Sequence, residues 1–193
     1  EESIGEGDYE GALKLAKECM EKTKNLLRNN IKSTVATLDS LVEESRTMGA
    51  DVKEVEEFAK LAEAALENDE YEAAHDQALS GIAAVDRVRE EFIKKAITSL
   101  DLRIRDAEDM GAVTDDLRKN VEKARDHMEN AEFDKAAIIL KETDETTRKR
   151  QARLAEECIK KSEETMSKIK MDVDLAKARS LLDEAREAIK AGE

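Results

Sequence analysis

Two histidines are the side chains of this sequence whose type best suits chemistry. Glu72 and His75 form one Glu-x-x-His step, which would place a carboxylate and an imidazole on the same face of a helix. A di-iron site in a helical bundle needs two such steps and two further carboxylates. Ala124 stands three residues before His127, so the second step is missing. We therefore expect no metal site and interpret both histidines as residues at helix boundaries.

Other catalytic patterns are missing from the sequence as well. It contains no Gly-rich phosphate loop, nucleophile elbow, His-Glu-x-x-His motif or Cys/His cluster. Carboxylate pairs are abundant among the 47 acidic residues, but a general acid or base needs a buried environment that polar helix faces do not offer. We expect a chain that is not an enzyme, with no catalytic residue, no cofactor and no small-molecule substrate.

The two cysteines, Cys19 and Cys158, lie 139 positions apart and lack metal-ligand spacing. Such thiols are typical of a reducing compartment, where they serve as small core residues. This pattern predicts a cytoplasmic protein with two buried thiols.

The formal net charge of −14 disfavours binding to phosphate backbones and to anionic membrane surfaces. One basic cluster, Arg148 to Arg153, is surrounded by acidic residues and has no aromatic residue nearby, so we interpret it as a solvated helix face. No apolar run reaches the length of a membrane span, and no signal-peptide pattern opens the chain. We expect protein partners, no nucleic acid and no membrane insertion, from a segment that begins without Met and is interpreted as a fragment.

The composition predicts long amphipathic helices. The chain has no Pro, seven Gly, 3% aromatic and 41% charged residues. Its 40% hydrophobic residues recur at helical spacing, which favours ordered helices over disorder. The sequence therefore predicts an all-α fold.

Residues that lie 62 positions apart coincide along the first two thirds of the chain. The matched pairs include Tyr9 with Tyr71, Ala12 with Ala74, Ala16 with Ala78, Ile31 with Ile93, Leu38 with Leu100, and Met48-Gly49-Ala50 with Met110-Gly111-Ala112. A further shift places Phe133 under Tyr71 and, after one deletion, Met171 under Met110. We infer an internal repeat of about 62 residues that continues to the end of the chain.

Each repeat is predicted to contain two breaks. The first is a Gly turn, near Gly49, Gly111 and Met171, and the second is a polar junction near Asn68 and Asn130. Capping boxes are expected to start the following helices, formed by Asp51 with Glu54 and by Asp69 with Glu72; Thr114, Asn130, Asp8 and Asp174 are the other predicted caps.

Long helices, from Asp8 to Met48, Glu70 to Met110 and Glu132 to Lys170, should therefore alternate with short ones of about 18 residues. The polar stretch Glu142 to Arg153 is the expected site of a bend or a frayed junction. The recurring aromatic residues Tyr9, Tyr71 and Phe133 and the methionines Met48, Met110 and Met171 are interpreted as core residues at the turns.

Helix length constrains the packing. A helix of about 40 residues is about 60 Å long, so a short helix can cover only half of it. We expect three-helix bundles, each built from the second half of one long helix, a short helix, and the first half of the next long helix. This arrangement resembles spectrin-type repeats, in helix lengths and shared helices rather than in a residue motif.

The resemblance implies an elongated array of tandem three-helix bundles that share continuous long helices. The predicted units are 1–28 as the end of a preceding repeat, 29–89 and 90–149 as bundles, and 150–193 as a partial bundle. Its implied function is that of a non-enzymatic structural spacer or a protein-protein interaction scaffold.

Two alternatives remain open at this point. Residues 64–74 resemble the helix-turn-helix junction of tetratricopeptide repeats, which implies a peptide-binding solenoid, although those repeats recur near 34 residues. The chain could also be the helical arm of a larger ATPase or other enzyme, which predicts motor motifs in flanking sequence.

Overall fold

The described part of the chain is entirely helical. A computed structural model describes residues 9–168 and 175–191, and within them six helices follow one another: α1 (Tyr9–Met48), α2 (Lys53–Glu67), α3 (Tyr71–Asp109), α4 (Asp115–Glu129), α5 (Phe133–Lys168) and α6 (Ala176–Ala191). The prediction of an all-α chain with alternating long and short helices is confirmed there. The predicted break at Met171 and the predicted caps Asp8 and Asp174 lie outside the described residues.

Glycine ends two of the long helices, as the sequence predicts. Gly49 has a φ of +98°, and the amides of Gly49 and Ala50 donate to the carbonyls of Arg46 and Ser45. Gly111 has a φ of +92° and closes α3 with the same pair of hydrogen bonds. A residue with a side chain would be strained at this φ, so glycine terminates each helix without that cost.

Two of the short helices, α2 and α4, end with a left-handed residue that is not glycine. Asp69 has a φ of 59° and Ala131 a φ of 57°, and the amides that follow them, Glu70 and Glu132, donate to the carbonyls of Ala65 and His127. Asp69 thus helps to close α2 and does not cap α3, and its carboxylate accepts a hydrogen bond of 2.7 Å from the Tyr71 hydroxyl. The predicted capping box of Asp69 with Glu72 is therefore wrong.

The other predicted caps also differ from the structure. Val52 directly precedes α2, with its side chain buried. The Asp51 carboxylate nevertheless accepts a hydrogen bond of 3.4 Å from the amide of Lys53, the first residue of that helix. Thr114 does precede α4, but its hydroxyl donates to the Glu108 carboxylate instead of to a helix amide. Asn130 ends α4 rather than starting α5.

The chain divides into two compact units, Glu1–Phe92 and Ile93–Glu193. In the first unit, one apolar cluster joins α1, α2 and the first part of α3 through Leu38, Val55 and Val85, each of which is fully buried. A second cluster lies toward the Asp69 turn and includes Ile31, Leu66, Ala74 and Ala78, with Tyr71 packed against it.

The second unit places its core between the second part of α3, α4 and α5. Its buried residues are Ile93, Ile97, Leu100, Ile104 and Ala107 from α3, Leu117, Val121 and Ala124 from α4, and Phe133, Ala136, Leu140, Thr143 and Thr147 from α5. Helix α6 contains no buried residue. The other buried residues in the described part of this unit are Ile159 of α5 and Thr114, which lies in the turn before α4.

The buried face of α3 includes a charged residue in its middle. Arg89, Ile93 and Ile97 are buried, whereas Val88, Phe92 and Ala96 are only half-buried.

Several predicted core residues are instead exposed. Cys19 and Cys158 are both exposed, so the prediction of two buried thiols is wrong. Tyr9 is 73% exposed and Met110 44%, whereas Phe133 is buried and Tyr71 and Met48 are half-buried. Helix α5 continues through residues 142–153, so the predicted frayed junction is not found there.

Candidate functional site

A buried polar cluster of the first unit surrounds Arg89. This side chain is 7% exposed and donates from Nε to the Ser45 hydroxyl at 2.7 Å. It also donates to the Leu41 carbonyl at 3.2 Å and to a Glu44 carboxylate oxygen at 3.0 Å. The Ser45 hydroxyl in turn donates to the Leu41 carbonyl at 2.6 Å. The cluster ties α3 to the last turns of α1, and its arginine was missed by sequence reasoning because a charge was not expected on a buried face.

A simpler version of this contact occurs in the second unit. The Gln151 amide donates to the Arg103 carbonyl at 3.3 Å, and so links α5 to α3. Close by, the Arg103 guanidinium is paired with the Asp144 carboxylate. The two long helices of this unit are thus joined by polar contacts.

Ion pairs bridge both Gly turns. In the first unit Arg46 donates to Glu56 at 2.7 Å, and in the second Arg118 donates to Glu108 at 2.7 Å. The guanidinium of Arg118, together with the Thr114 hydroxyl, lowers the pKa of Glu108 from its ordinary 4.5 to about 2. These pairs hold the end of a long helix to the start of the next short one.

The two histidines lie in different units. His75 is half-buried, and its Nδ1 atom has no hydrogen-bond partner. His127 lies at the end of α4, with Nδ1 2.5 Å from a Glu132 oxygen. Lys135, and then His127, lower the pKa of Glu132. Among residues 9–168 and 175–191, no three His, Cys, Asp or Glu side chains are grouped to hold a metal ion.

The basic cluster that the sequence singles out is largely paired with acids. Arg148 donates to Asp144 at 2.9 Å, and Arg150 donates to Asp116 at 2.6 Å. Arg153 donates to Glu157 at 3.2 Å. Lys149 of this cluster lines a groove of about 630 Å³ in the second unit, together with Arg103 and Arg148 and with an apolar floor that includes Met110, Ala155 and Ile189.

Comparison of the chain with protein-family models, with curated proteins and with solved structures gives no match. Among the described residues, no helix has the length and apolar character needed to cross a lipid bilayer.

Proposed function

We propose that this chain is a structural spacer or protein-protein interaction scaffold, built from tandem spectrin-like three-helix bundles that recur about every 62 residues. One observation carries the proposal: the helix ends and their hydrogen bonds recur at that spacing. The Gly49 turn corresponds to the Gly111 turn, and the left-handed Asp69 corresponds to the left-handed Ala131.

Side-chain contacts support the same spacing. Arg89 and Gln151 are 62 positions apart, and they donate to carbonyls that are also 62 positions apart, those of Leu41 and Arg103. The ion pairs at the Gly turns occupy equivalent positions with the charges exchanged, since Arg46 corresponds to Glu108 and Glu56 to Arg118. An exchanged pair preserves the contact while both residues differ, which is the expected outcome in diverged copies of one unit.

A spacer must keep other domains a fixed distance apart. Helix α3, which contributes residues to both units, should therefore be stiff. We expect nitroxide labels at Asp76→Cys and Asp106→Cys, in a Cys19→Ser, Cys158→Ser background, to give one narrow distance distribution centred near about 45 Å, since a helix rises about 1.5 Å per residue. Both positions are exposed on α3. A control pair confined to one unit, Asp76→Cys with Glu91→Cys, should give about half that distance. A broad or bimodal distribution for the long pair alone would contradict the spacer.

The groove of the second unit favours one further candidate, the peptide-binding scaffold. Arg103 and Arg148 share the single Asp144 carboxylate, and Lys149 lines the same groove beside Met110, Ala155 and Ile189. The groove therefore keeps an excess of positive charge next to apolar side chains, which suits an acidic amphipathic peptide. Fluorescence anisotropy of a labelled peptide of this kind can measure its binding to the parent chain and to the Lys149→Glu variant. The control variant is Lys161→Glu, because Lys161 is exposed but does not line the groove. Saturable binding that is abolished by Lys149→Glu but not by Lys161→Glu would favour the peptide-binding scaffold. If the parent chain binds no peptide, the structural spacer remains the proposed function.

A further inference from the structure

Three apolar side chains lie at the surface of the first unit, along the contact between α1 and α3. Leu79 of α3 is 48% exposed. Ile82 of the same helix and Leu41 of α1 are half-buried and pack against the core cluster of this unit. Arg89 lies two helical turns after Ile82, on the same side of α3, and donates to the Leu41 carbonyl, so these sides of the two helices face each other. We call Leu41, Leu79 and Ile82 the apolar strip.

The α1 side of the apolar strip carries no charge beside Leu41. Thr34 and Thr37 precede Leu41 at helical spacing, so the three residues share one side of the helix. The hydroxyls of these threonines donate to the carbonyls of Asn30 and Ser33, at 3.2 Å and 2.9 Å. Because each hydroxyl already donates within its own helix, the threonines add little polar character to the strip.

The corresponding positions of the second unit are charged. With the 62-residue spacing proposed above, the three strip residues correspond, in chain order, to Arg103, Lys141 and Asp144. Arg103 and Asp144 form an ion pair, and Lys141 is exposed. Each set lies between two long helices that also pack with a short helix, so the exposure of Leu79 does not come from a missing helix. The fold therefore does not require apolar residues at these positions, and the apolar strip is a feature that the second unit lacks.

The exposed face of α3 beside the apolar strip is acidic. Glu72 and Asp86 lie seven residues before and after Leu79, on the same face of the helix. Asp76 lies three residues before Leu79 and shares that face. All three acids are exposed, and among the described residues none of them belongs to an ion pair. The apolar strip therefore borders negative charge that no cation of the described chain neutralises by direct contact.

We propose that the apolar strip binds a basic amphipathic helix of a partner protein. This inference rests on the interaction scaffold proposed above and names the chemistry of its partner. The apolar face of the bound helix covers Leu79 and Ile82, as in other complexes in which a helix lies in a groove between helices. Its lysines and arginines approach Glu72, Asp76 and Asp86, and this charge complementarity selects a basic helix over an acidic one.

Fluorescence anisotropy of a labelled helical peptide tests the proposal. The lysine probe has about 18 residues, with leucines one turn apart on one face, lysines beside them and alanines elsewhere. In about 150 mM NaCl, which screens distant charges, we expect a dissociation constant of about 10 to 100 µM, since one helix covers less area than a standard interface. A glutamate probe, with glutamate in place of each lysine, should bind at least about tenfold more weakly.

Leu79→Lys tests whether the lysine probe binds at the apolar strip. The second unit has Lys141 at this position, so the fold should tolerate the change, and we expect binding to weaken at least about tenfold. The matched control is Leu61→Lys, because Leu61 is 54% exposed on α2, outside the strip, and corresponds to Lys123. It changes the net charge equally and should alter the affinity less than about twofold. Circular dichroism shows whether both variants are folded.

A pair of double variants tests the acidic border. Asp76→Asn with Asp86→Asn should weaken binding of the lysine probe at least about threefold. The control, Glu57→Gln with Glu63→Gln, removes two exposed charges from α2 and should have a smaller effect. Equal effects of the two double variants would overturn the proposal, because they would show attraction to the net charge alone.

Other outcomes would overturn the proposal as well. They are equal losses for Leu79→Lys and Leu61→Lys, equal affinity for the two probes, and no binding of the lysine probe up to about 500 µM, well above the range expected for so small an interface. Dimers of the parent chain that Leu79→Lys dissociates in sedimentation equilibrium would assign the apolar strip to a second copy instead. The spin-label distances along α3 do not depend on the peptide, so they test the spacer separately.

Discussion

At the scale of single residues, the polar groups that matter are those that connect one helix to another. Arg89 is the clearest case, since its guanidinium satisfies a hydroxyl, a carbonyl and a carboxylate of α1 at once. Hydrogen bonds from a charged group are stronger than neutral ones, and burial protects them from competition with water. Arg89 thus gives the first unit a specific alignment of α3 on α1 that apolar contacts alone would not provide.

Removing Arg89 should therefore destabilise the chain. We expect Arg89→Ala to lower the free energy of unfolding by about 2 kcal/mol, and Arg89→Gln by about half as much, because glutamine can keep a main-chain bond as Gln151 does. Urea unfolding followed by circular dichroism measures both. The control is Arg87→Ala, whose ion pair with Glu54 is exposed and should contribute less than about 1 kcal/mol. Equal losses for the two alanine variants would contradict a special role for Arg89.

The Glu108 carboxylate predicts a specific acid dependence. Its pKa is lowered in the folded chain from 4.5 to about 2, so its contribution to stability is present above pH 4.5 and is lost as the pH falls toward 2. We expect Glu108→Gln to be less stable than the parent chain at pH 7 and to converge with it near pH 2. Thermal unfolding at a series of pH values checks this, with Asp109→Asn, an exposed neighbour, as the control. A stability difference that did not change with pH would contradict the assignment.

At the scale of helices and turns, Ala131 marks a correctable strain. An L-residue other than Gly, Asn or Asp pays about 1 kcal/mol for the left-handed conformation, and Ala131 adopts it with a φ of 57°. Ala131→Gly should raise the free energy of unfolding by about 1 kcal/mol. Asp69→Gly at the equivalent turn should gain less, because aspartate tolerates this conformation and would lose its bond to Tyr71. A larger gain at residue 69 than at 131 would contradict this reasoning.

Gly81 lies inside helix α3, and there we expect the replacement of glycine by alanine to destabilise the chain. A glycine inside a helix ordinarily costs about 1 kcal/mol of stability relative to alanine, so a change to alanine would be expected to stabilise the chain. In the structure a Cβ atom at this position would lie 2.6 Å from Leu38 and 3.0 Å from Phe58 Cβ. We expect Gly81→Ala to lower the melting temperature, whereas Ser80→Ala, one residue earlier and exposed, should leave it unchanged or raise it slightly. A rise with Gly81→Ala would show that α1 and α2 can move away at little cost.

Local signals explain what the sequence could predict. Gly49 and Gly111 indicate turns because glycine adopts the left-handed backbone without steric cost. This preference is local and does not depend on contacts elsewhere in the chain. Val52, Val55 and Ala59 follow the same helical spacing and are all buried, so the spacing that predicts helices also marks the buried face of α2. The exposure of Cys19 and the burial of Arg89 could not be predicted, because each depends on which other helix covers that face. Ala131 is similar, since only the geometry of the turn reveals its left-handed backbone.

At the scale of the whole molecule, many weak ion pairs coexist with a large net charge. The pairs are mostly partly exposed, and each contributes little on its own. The excess of acids, by contrast, acts beyond contact distance, because repulsion between like charges extends to about one Debye length. Short-range pairing and long-range repulsion therefore oppose each other, and the concentration of salt decides their balance.

We expect the long-range repulsion to dominate the response to salt. Raising NaCl from about 10 mM to about 150 mM shortens the Debye length from about 30 Å to about 8 Å, which screens distant acids more than it screens paired side chains in contact. The formal net charge of −14 should therefore make the folded chain more stable over this range, as urea unfolding at each concentration would measure. A matched triple variant removes three exposed negative charges from α2, by the changes Glu57→Gln, Glu63→Gln and Glu67→Gln. The stability of this variant should respond less to salt. A parent chain that lost stability as salt was added would mean that the ion pairs, among them Arg46 with Glu56 and Arg118 with Glu108, contribute more to the fold than the net charge costs it.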